Sequence, residues 1–173
     1  MLNRSNRPVD WIEKIVERDG DRLFRIAIAI TGSKAEAEDA VQDVFVKLLE
    51  KQPFFESSEH ETAWLVRVTV NTCKNRIRSF WWKMTEPLLD IYPARSSNET
   101  EVMEAVMSLS PKYRLVIHLY YYEGYSAKEI AEITLQTEST VRQKLTRARQ
   151  KLRKFMEGEM YERLQILHGQ SKT

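Results

Sequence analysis

The chain has 173 residues, 42% of them hydrophobic, with a formal net charge of +2 and a single cysteine, Cys73. That length suits one medium domain or two small ones, and one cysteine excludes a disulfide framework or a cysteine metal site within the chain. No apolar run approaches the roughly 20 residues of a membrane span and the N-terminal MLNRSNRPVD lacks an apolar signal core, so a soluble, cytoplasmic protein is expected.

Only five glycines and five prolines, set among many Ala, Leu, Glu, Lys and Arg, favour an all-α fold. Two small helical domains are expected, 1–84 and 98–173, joined by a flexible linker at 85–97. In the first, residues 9–18 carry Trp11, Ile12, Ile15 and Val16 on one helical face, and the nearly all-apolar 23–30 reads as a second, buried helix. Ser33 is placed to cap a helix over 34–51. Its core stripe is Ala37, Ala40, Val41, Val44, Phe45, Leu48 and Leu49, with Glu38, Asp39, Gln42 and Asp43 opposite. A loop at 52–60 leads into a long helix over 61–84 with Trp64, Leu65, Val68, Cys73, Ile77 and the aromatics at 80–82 as apolar positions.

The stretch 85–97 (TEPLLDIYPARSS) has two prolines and no sustained period, which marks a linker. Helices follow at 99–108, 110–123, 126–133 and 138–156, with a further short one around 160–167. Pro111 suits a first helical position after Ser110, and Gly124 suits a left-handed helix end. Residues 126–133 and 138–154, separated by a short turn, have the order of a helix-turn-helix.

Charge is segregated along the chain. Eight acids face two lysines between 36 and 61, whereas 62–83 holds five bases and no acid, and 142–154 holds seven bases and no acid. In the last of these, Val141, Leu145, Ala148, Leu152 and Phe155 form an apolar stripe. Arg142, Gln143, Thr146, Arg147 and Gln150 share the outward side, where Arg can grip guanine and Gln adenine. Lys144, Arg149 and Lys151 are expected at phosphate. A basic run can also be a plain solvated face; the unbroken sign and the helix upstream favour DNA.

Over 62–83 the bases Arg67, Lys74, Arg76, Arg78 and Lys83 alternate with Trp64, Asn71, Asn75, Phe80, Trp81 and Trp82, a composition suited to an unpaired strand. Trp64, between Ala63 and Leu65, fits core better, and of Trp81 and Trp82 one is expected at the surface. The acidic face Glu38, Asp39, Gln42 and Asp43 suits a basic protein partner or plain solvation. A metal-dependent nuclease is a weaker alternative, because no His lies nearby and Gln is a poor metal ligand. His60, His118 and His168 are scattered, with His118 in a core setting. No catalytic constellation, metal site, cofactor motif or small-molecule substrate site is expected, so the chain reads as a non-enzyme.

AEAEDAVQDVFVKLLE, AWLVRVTVNTCKNRIR and LSPKYRLVIHLYYYEGYSAKEIAEI followed by STVRQKLTRARQKL together resemble the extracytoplasmic-function group of bacterial RNA polymerase sigma factors. The resemblance implies an alternative sigma factor that binds core RNA polymerase and promoter DNA, and an anti-sigma protein that clamps both domains. By position it implies polymerase contacts at Asp39, Gln42, Asp43 and Phe45. It implies −10 contacts at Asn71, Lys74 and Arg78, with a flipped base in the loop 52–60. It implies −35 contacts at Arg142, Gln143, Thr146 and Arg147. The chain departs from the pattern at Thr134 and Leu135, where Leu and Gly are usual, in its acidic loop, and at Gln143, where a small residue is common. A free-standing helix-turn-helix regulator is the alternative, though it leaves the acidic helix and the aromatic-basic helix unexplained.

Overall fold

Helix α1 (Val9–Thr31) runs unbroken where the sequence suggests two helices. Glycine in a helix costs only about 1 kcal/mol, and Gly20 sits where an added side chain would meet nothing closer than Val16 Cγ1 at 3.8 Å. Neighbouring Asp19 is buried and ties the continuous helix in place: it accepts from Arg18 at 2.6 Å and from the Thr62 hydroxyl at 3.3 Å. Tertiary contacts override the local break signal. These coordinates come from a computed structural model, which describes residues 9–80 and 97–169.

Helix α2 (Lys34–Lys51) begins at the expected cap, with Ser33 Oγ accepting from Glu36 N at 3.4 Å, and ends on Gln52 in the left-handed region at φ 39°. Ala37, Ala40, Val44 and Leu48 are buried. The expected stripe is one row too wide, because Leu49 is 51% exposed. Helix α3 (Ser58–Phe80) starts a turn before the expected residue 61. It buries Leu65, Val66, Val70 and Cys73, and Trp64 packs half-buried against the core, edge-on to Phe55. Trp81, Trp82, Lys83 and the linker positions 85–96 lie outside the described residues.

The second half comprises α4 (Ser97–Ser108), α5 (Pro111–Ile117), α6 (Ala127–Thr134) and α7 (Glu138–Gly169). Pro111 stands at the start of α5 as expected, although Ser110 makes no side-chain capping bond. Helix α5 widens into a π-helical turn over His118–Tyr122, which the sequence pattern does not signal, and Gly124 then takes φ +77° as expected. A reciprocal capping box between Ser126 and Glu129 opens α6. Helix α7 continues through the region where a separate short helix around 160–167 is expected.

Helices α1, α2 and α3 pack on one another, as do α5, α6 and α7; in addition α1 lies against α5, and α3 against α6. One hydrophobic cluster includes Ile26, Leu48 and Leu65 of the first half together with Val116, Ile130 and Leu145 of the second. The fold is all-α, with no strand among the described residues.

Leu135 ends α6 in the left-handed region at φ 56° while 73% exposed, so it bears the steric cost of that conformation with little burial in return. Leu135→Gly is expected to raise stability by about 0.5–1 kcal/mol, read as a higher urea midpoint at unchanged slope. Burial pushes the Cys73 thiol up to about 12, against the attraction of Arg76 and Lys47. Because the folded state holds the thiol proton more tightly than the unfolded chain, the contribution of this group to stability is intact below the unfolded thiol pKa. Stability is lost as pH rises from there towards 12. Native Cys73 is expected to resist iodoacetamide at neutral pH and to react fully once denaturant opens the core.

Candidate nucleic-acid interface

Helix α7 is held by its apolar stripe: Val141, Leu145 and Ala148 are buried, and Leu152 and Phe155 are half-buried. That orientation leaves Arg142, Gln143, Thr146, Arg147 and Gln150 exposed on the other side, where with Glu138 and Ser139 they line one open groove. Arg142 donates to Glu138 Oε1 at 2.6 and 2.8 Å, and the Thr146 hydroxyl donates to the Arg142 carbonyl at 3.0 Å.

Two of the bases expected at phosphate turn elsewhere. Lys144 is half-buried and donates to Gln136 Oε1; burial, and then the nearby charge of Lys112, lower its pKa. Arg149 donates to the Tyr121 hydroxyl at 2.7 Å and lies over the rings of Tyr120 and Tyr121. Both side chains join α7 to the elements beneath it, a role that charge alone does not reveal. Lys151 stays exposed, above the Tyr113 ring.

On α3, the spacing of Asn71, Lys74 and Arg78 places the three on one face. Arg78 is exposed and Asn71 is half-buried. Lys74 is half-buried and donates to the Thr134 carbonyl at 3.1 Å, and burial followed by Lys144 lowers its pKa. Arg76, grouped by sequence with the strand-facing bases, points to α2 instead: it meets Asp43 at 2.7 Å, Glu36 at 3.2 Å and Asp39 at 3.7 Å. Before α3, Phe54 is 76% exposed, while Phe55 packs edge-on against His60 and Trp64.

On α2, Asp39 and Gln42 are exposed, Asp43 is half-buried, and Phe45 is half-buried against the core. Of the acidic face, read as suited to a basic partner or to solvent, Asp39 and Asp43 share the Arg76 guanidinium with Glu36, whereas Glu38 lies 3.8 Å from Lys34. Among the described residues no cluster of three or more His, Cys, Asp or Glu side chains could hold a metal ion.

A set of residues that sequence reading passes over joins the two halves. Arg114, buried in α5, donates to the carbonyls of Ala29 at 2.9 Å and Ile30 at 3.4 Å, in the last turn of α1, and to Met107 O at 2.9 Å. Glu123 receives Arg22 at 3.0 Å and Arg25 at 3.7 Å from α1, and Arg25 also stands over the Tyr122 ring. Burial raises the pKa of Glu123, but its bond to His118 and the charges of His118, Arg25 and Arg22 outweigh that and hold it below the usual carboxylate value. His118, expected as a satisfied core histidine, is buried with Nε2 3.2 Å from Glu123 and its ring stacked on Tyr122.

Two family descriptions match the chain: Sigma-70 region 2 over residues 15–83 and Sigma-70 region 4 over residues 99–152. The extracytoplasmic-function sigma factor SigM of Mycobacterium tuberculosis is 28% identical over 149 residues, covering 83% of this chain and 76% of SigM. SigW of Bacillus subtilis is 26% identical over 168 residues, covering 84% and 88%. The sigma factor RpoE of Bartonella quintana, solved in complex with the anti-sigma factor NepR, superposes with a TM-score of 0.72 at 25% identity, covering 86% of this chain and 98% of that one. CnrH, solved with the cytosolic domain of CnrY, shares the fold with a TM-score of 0.61 at 24% identity. The open groove of α7, the basic face of α3 and the acidic α2 thus lie in a chain that belongs to the extracytoplasmic-function group of sigma-70 factors.

Proposed function

We propose that this alternative sigma factor directs promoter-specific initiation through three separate helix faces. Asp39, Gln42, Asp43 and Phe45 of α2 meet core RNA polymerase. Asn71, Lys74 and Arg78 of α3 meet the melted −10 strand, with a base held by the loop 52–60. Arg142, Gln143, Thr146 and Arg147 of α7 meet the −35 duplex. The division into a polymerase and −10 domain at 1–84 and a −35 domain at 98–173 follows from the same reading. The observation that carries it is the α7 groove, an outward row of Arg, Gln and Thr in a stretch, 142–154, that holds no acid.

Each contact has a physical basis. Arg and Gln aimed into a major groove supply bidentate base recognition. Flipping a base out of its stack costs a few kcal/mol, offset by pocket and aromatic contacts. Two DNA sites on one chain gain avidity from their linkage. The family consists of non-enzymatic initiation factors. Among the described residues no helix is long and apolar enough to cross a membrane, which agrees with work beside polymerase in the cytoplasm. RpoE was solved with the anti-sigma factor NepR and CnrH with the cytosolic domain of CnrY, and this chain is proposed to have an anti-sigma partner of its own.

Arg147→Ala is expected to lower −35-dependent run-off transcription by about 10- to 100-fold, the equivalent of one lost base contact of about 1–3 kcal/mol, with core binding unchanged. Asp39→Arg is expected to abolish co-purification with core polymerase and leave −35 duplex binding intact; persistence of the polymerase complex would refute the α2 assignment. Tight, sequence-specific promoter binding by the protein without polymerase would instead support a free-standing regulator.

A further inference from the structure

One acid stands among the bases of the α7 groove. Glu138 lines it beside Arg142, Gln143, Thr146 and Arg147. The next acid along the helix is Glu157, which pairs with Arg153 at 2.7 Å and is no part of the groove. A carboxylate on a surface that meets phosphate weakens every duplex contact by repulsion. As a helix support it returns little, because an exposed Glu–Arg pair four residues apart adds only slightly to a helix. Glu138 therefore lowers affinity for DNA in general, and it does so in the first turn of α7. That turn is the part of a recognition helix that meets base edges.

The pair presents a defined hydrogen-bond pattern. Glu138 Oε1 accepts from Arg142 Nε at 2.8 Å and from Nη2 at 2.6 Å, and both side chains are exposed. This takes the Nε edge of the guanidinium and leaves its far end, Nη1 with the second Nη2 proton, to donate. Among the described residues nothing else bonds to Glu138 Oε2 or to Arg142 Nη1. The groove thus offers two parallel donors with one acceptor beside them. Two parallel donors match guanine O6 and N7, and a carboxylate oxygen matches the N4 amino group of cytosine. Opposite Oε2, thymine O4 or guanine O6 would set acceptor against acceptor, and adenine N6 sits beside N7, which a carboxylate repels. We propose that Glu138 is a specificity-determining residue of the −35 contact, orienting Arg142 for a guanine and itself accepting from a neighbouring cytosine amino group. The proposal rests on the assignment of the α7 row to the −35 duplex. The acid then lowers affinity for all duplexes while raising selection of one G and C combination.

The experiment uses holoenzyme assembled from core RNA polymerase and the full-length chain on promoters with a randomised −35 region, and sequences the run-off products. Wild type is compared with Glu138→Gln, Glu138→Ala and Arg147→Ala. Wild type is expected to favour a cytosine at one −35 position next to a guanine. Glu138→Gln keeps the size of the side chain and an acceptor for Arg142. It is expected to lower the cytosine preference by about five- to tenfold and to leave the other positions unchanged. Glu138→Ala is expected to weaken the guanine preference as well, because Arg142 loses its support. By fluorescence anisotropy the full-length Glu138 variants are expected to bind a mixed-sequence duplex about two- to fivefold more tightly than wild type, since one negative charge is gone. Replacing the selected cytosine by N4-methylcytosine, which blocks its amino group from the groove, is expected to lower wild-type transcription and leave Glu138→Gln indifferent. That arm reads the wild-type protein and does not depend on the folding of a variant. No selected cytosine in the wild type, one that survives Glu138→Gln, or a wild type indifferent to N4-methylcytosine would overturn the role of Glu138. A −35 preference that Arg147→Ala removes would in that case still uphold the reading of α7. If no −35 preference depends on Arg147, both fall.

Discussion

Cations placed at helix C-termini hold the two halves of this molecule in register. A carbonyl in the last turn of a helix must find a donor outside that helix, and at α1 and α6 the donor comes from the other half: Arg114 in one direction and Lys74 in the other. The position of α5 against α1, and of α6 against α3, follows from those bonds together with the apolar cluster beneath them. Glu123 adds to the same seam by gathering Arg22, Arg25 and His118 around one buried carboxylate. Three unlike contacts therefore converge on one contact zone, where apolar packing supplies attraction and the polar bonds supply orientation.

The same economy of charge runs through the elements that carry the proposed DNA contacts. On α7, Lys144 and Arg149 fasten the helix to Gln136 and to Tyr121, which fixes the direction in which Arg142, Gln143, Thr146 and Arg147 point. On α3, Arg76 gathers Glu36, Asp39 and Asp43 and so ties the proposed strand-facing helix to the proposed polymerase-facing one. A network of this kind has more mechanical than thermodynamic value, because partly exposed ion pairs contribute little net stability. Its effect is to keep two functional faces at a constant angle. The proposed polymerase and strand contacts then lie on one rigid unit.

What the sequence made legible was local. Ser33, Pro111 and Gly124 punctuate helices by short-range chemistry, and each takes the position its type suggests. The apolar stripe of α7 likewise predicts its outward row, because periodicity alone decides which side faces the core. The misreadings arise where distant contacts outweigh a local preference. Gly20 marks a break that Asp19, Arg18 and Thr62 prevent; Leu49 fits the periodic stripe of α2 yet lies beyond the edge of the core. Lys144, Arg149 and Arg76 look like phosphate ligands because a charge in a sequence carries no direction. The seam between the halves was illegible for a deeper reason: half of its partners are backbone carbonyls, which every residue type possesses.

Leu135 shows how these levels meet. Where the family's turn usually has glycine, this chain forces leucine into the left-handed region at φ 56°, so the helix-turn-helix geometry is kept by its surroundings and not by the turn residue. The fixed points around it are the Leu135 and Gln136 amides, both bonded to Ala131 O, the Gln136 side chain on Lys144, and Thr134 O on Lys74. The last of these belongs to the other half. The turn is therefore defined from both sides: by its own backbone bonds to Ala131 O and by a lysine of α3 on the last carbonyl of α6.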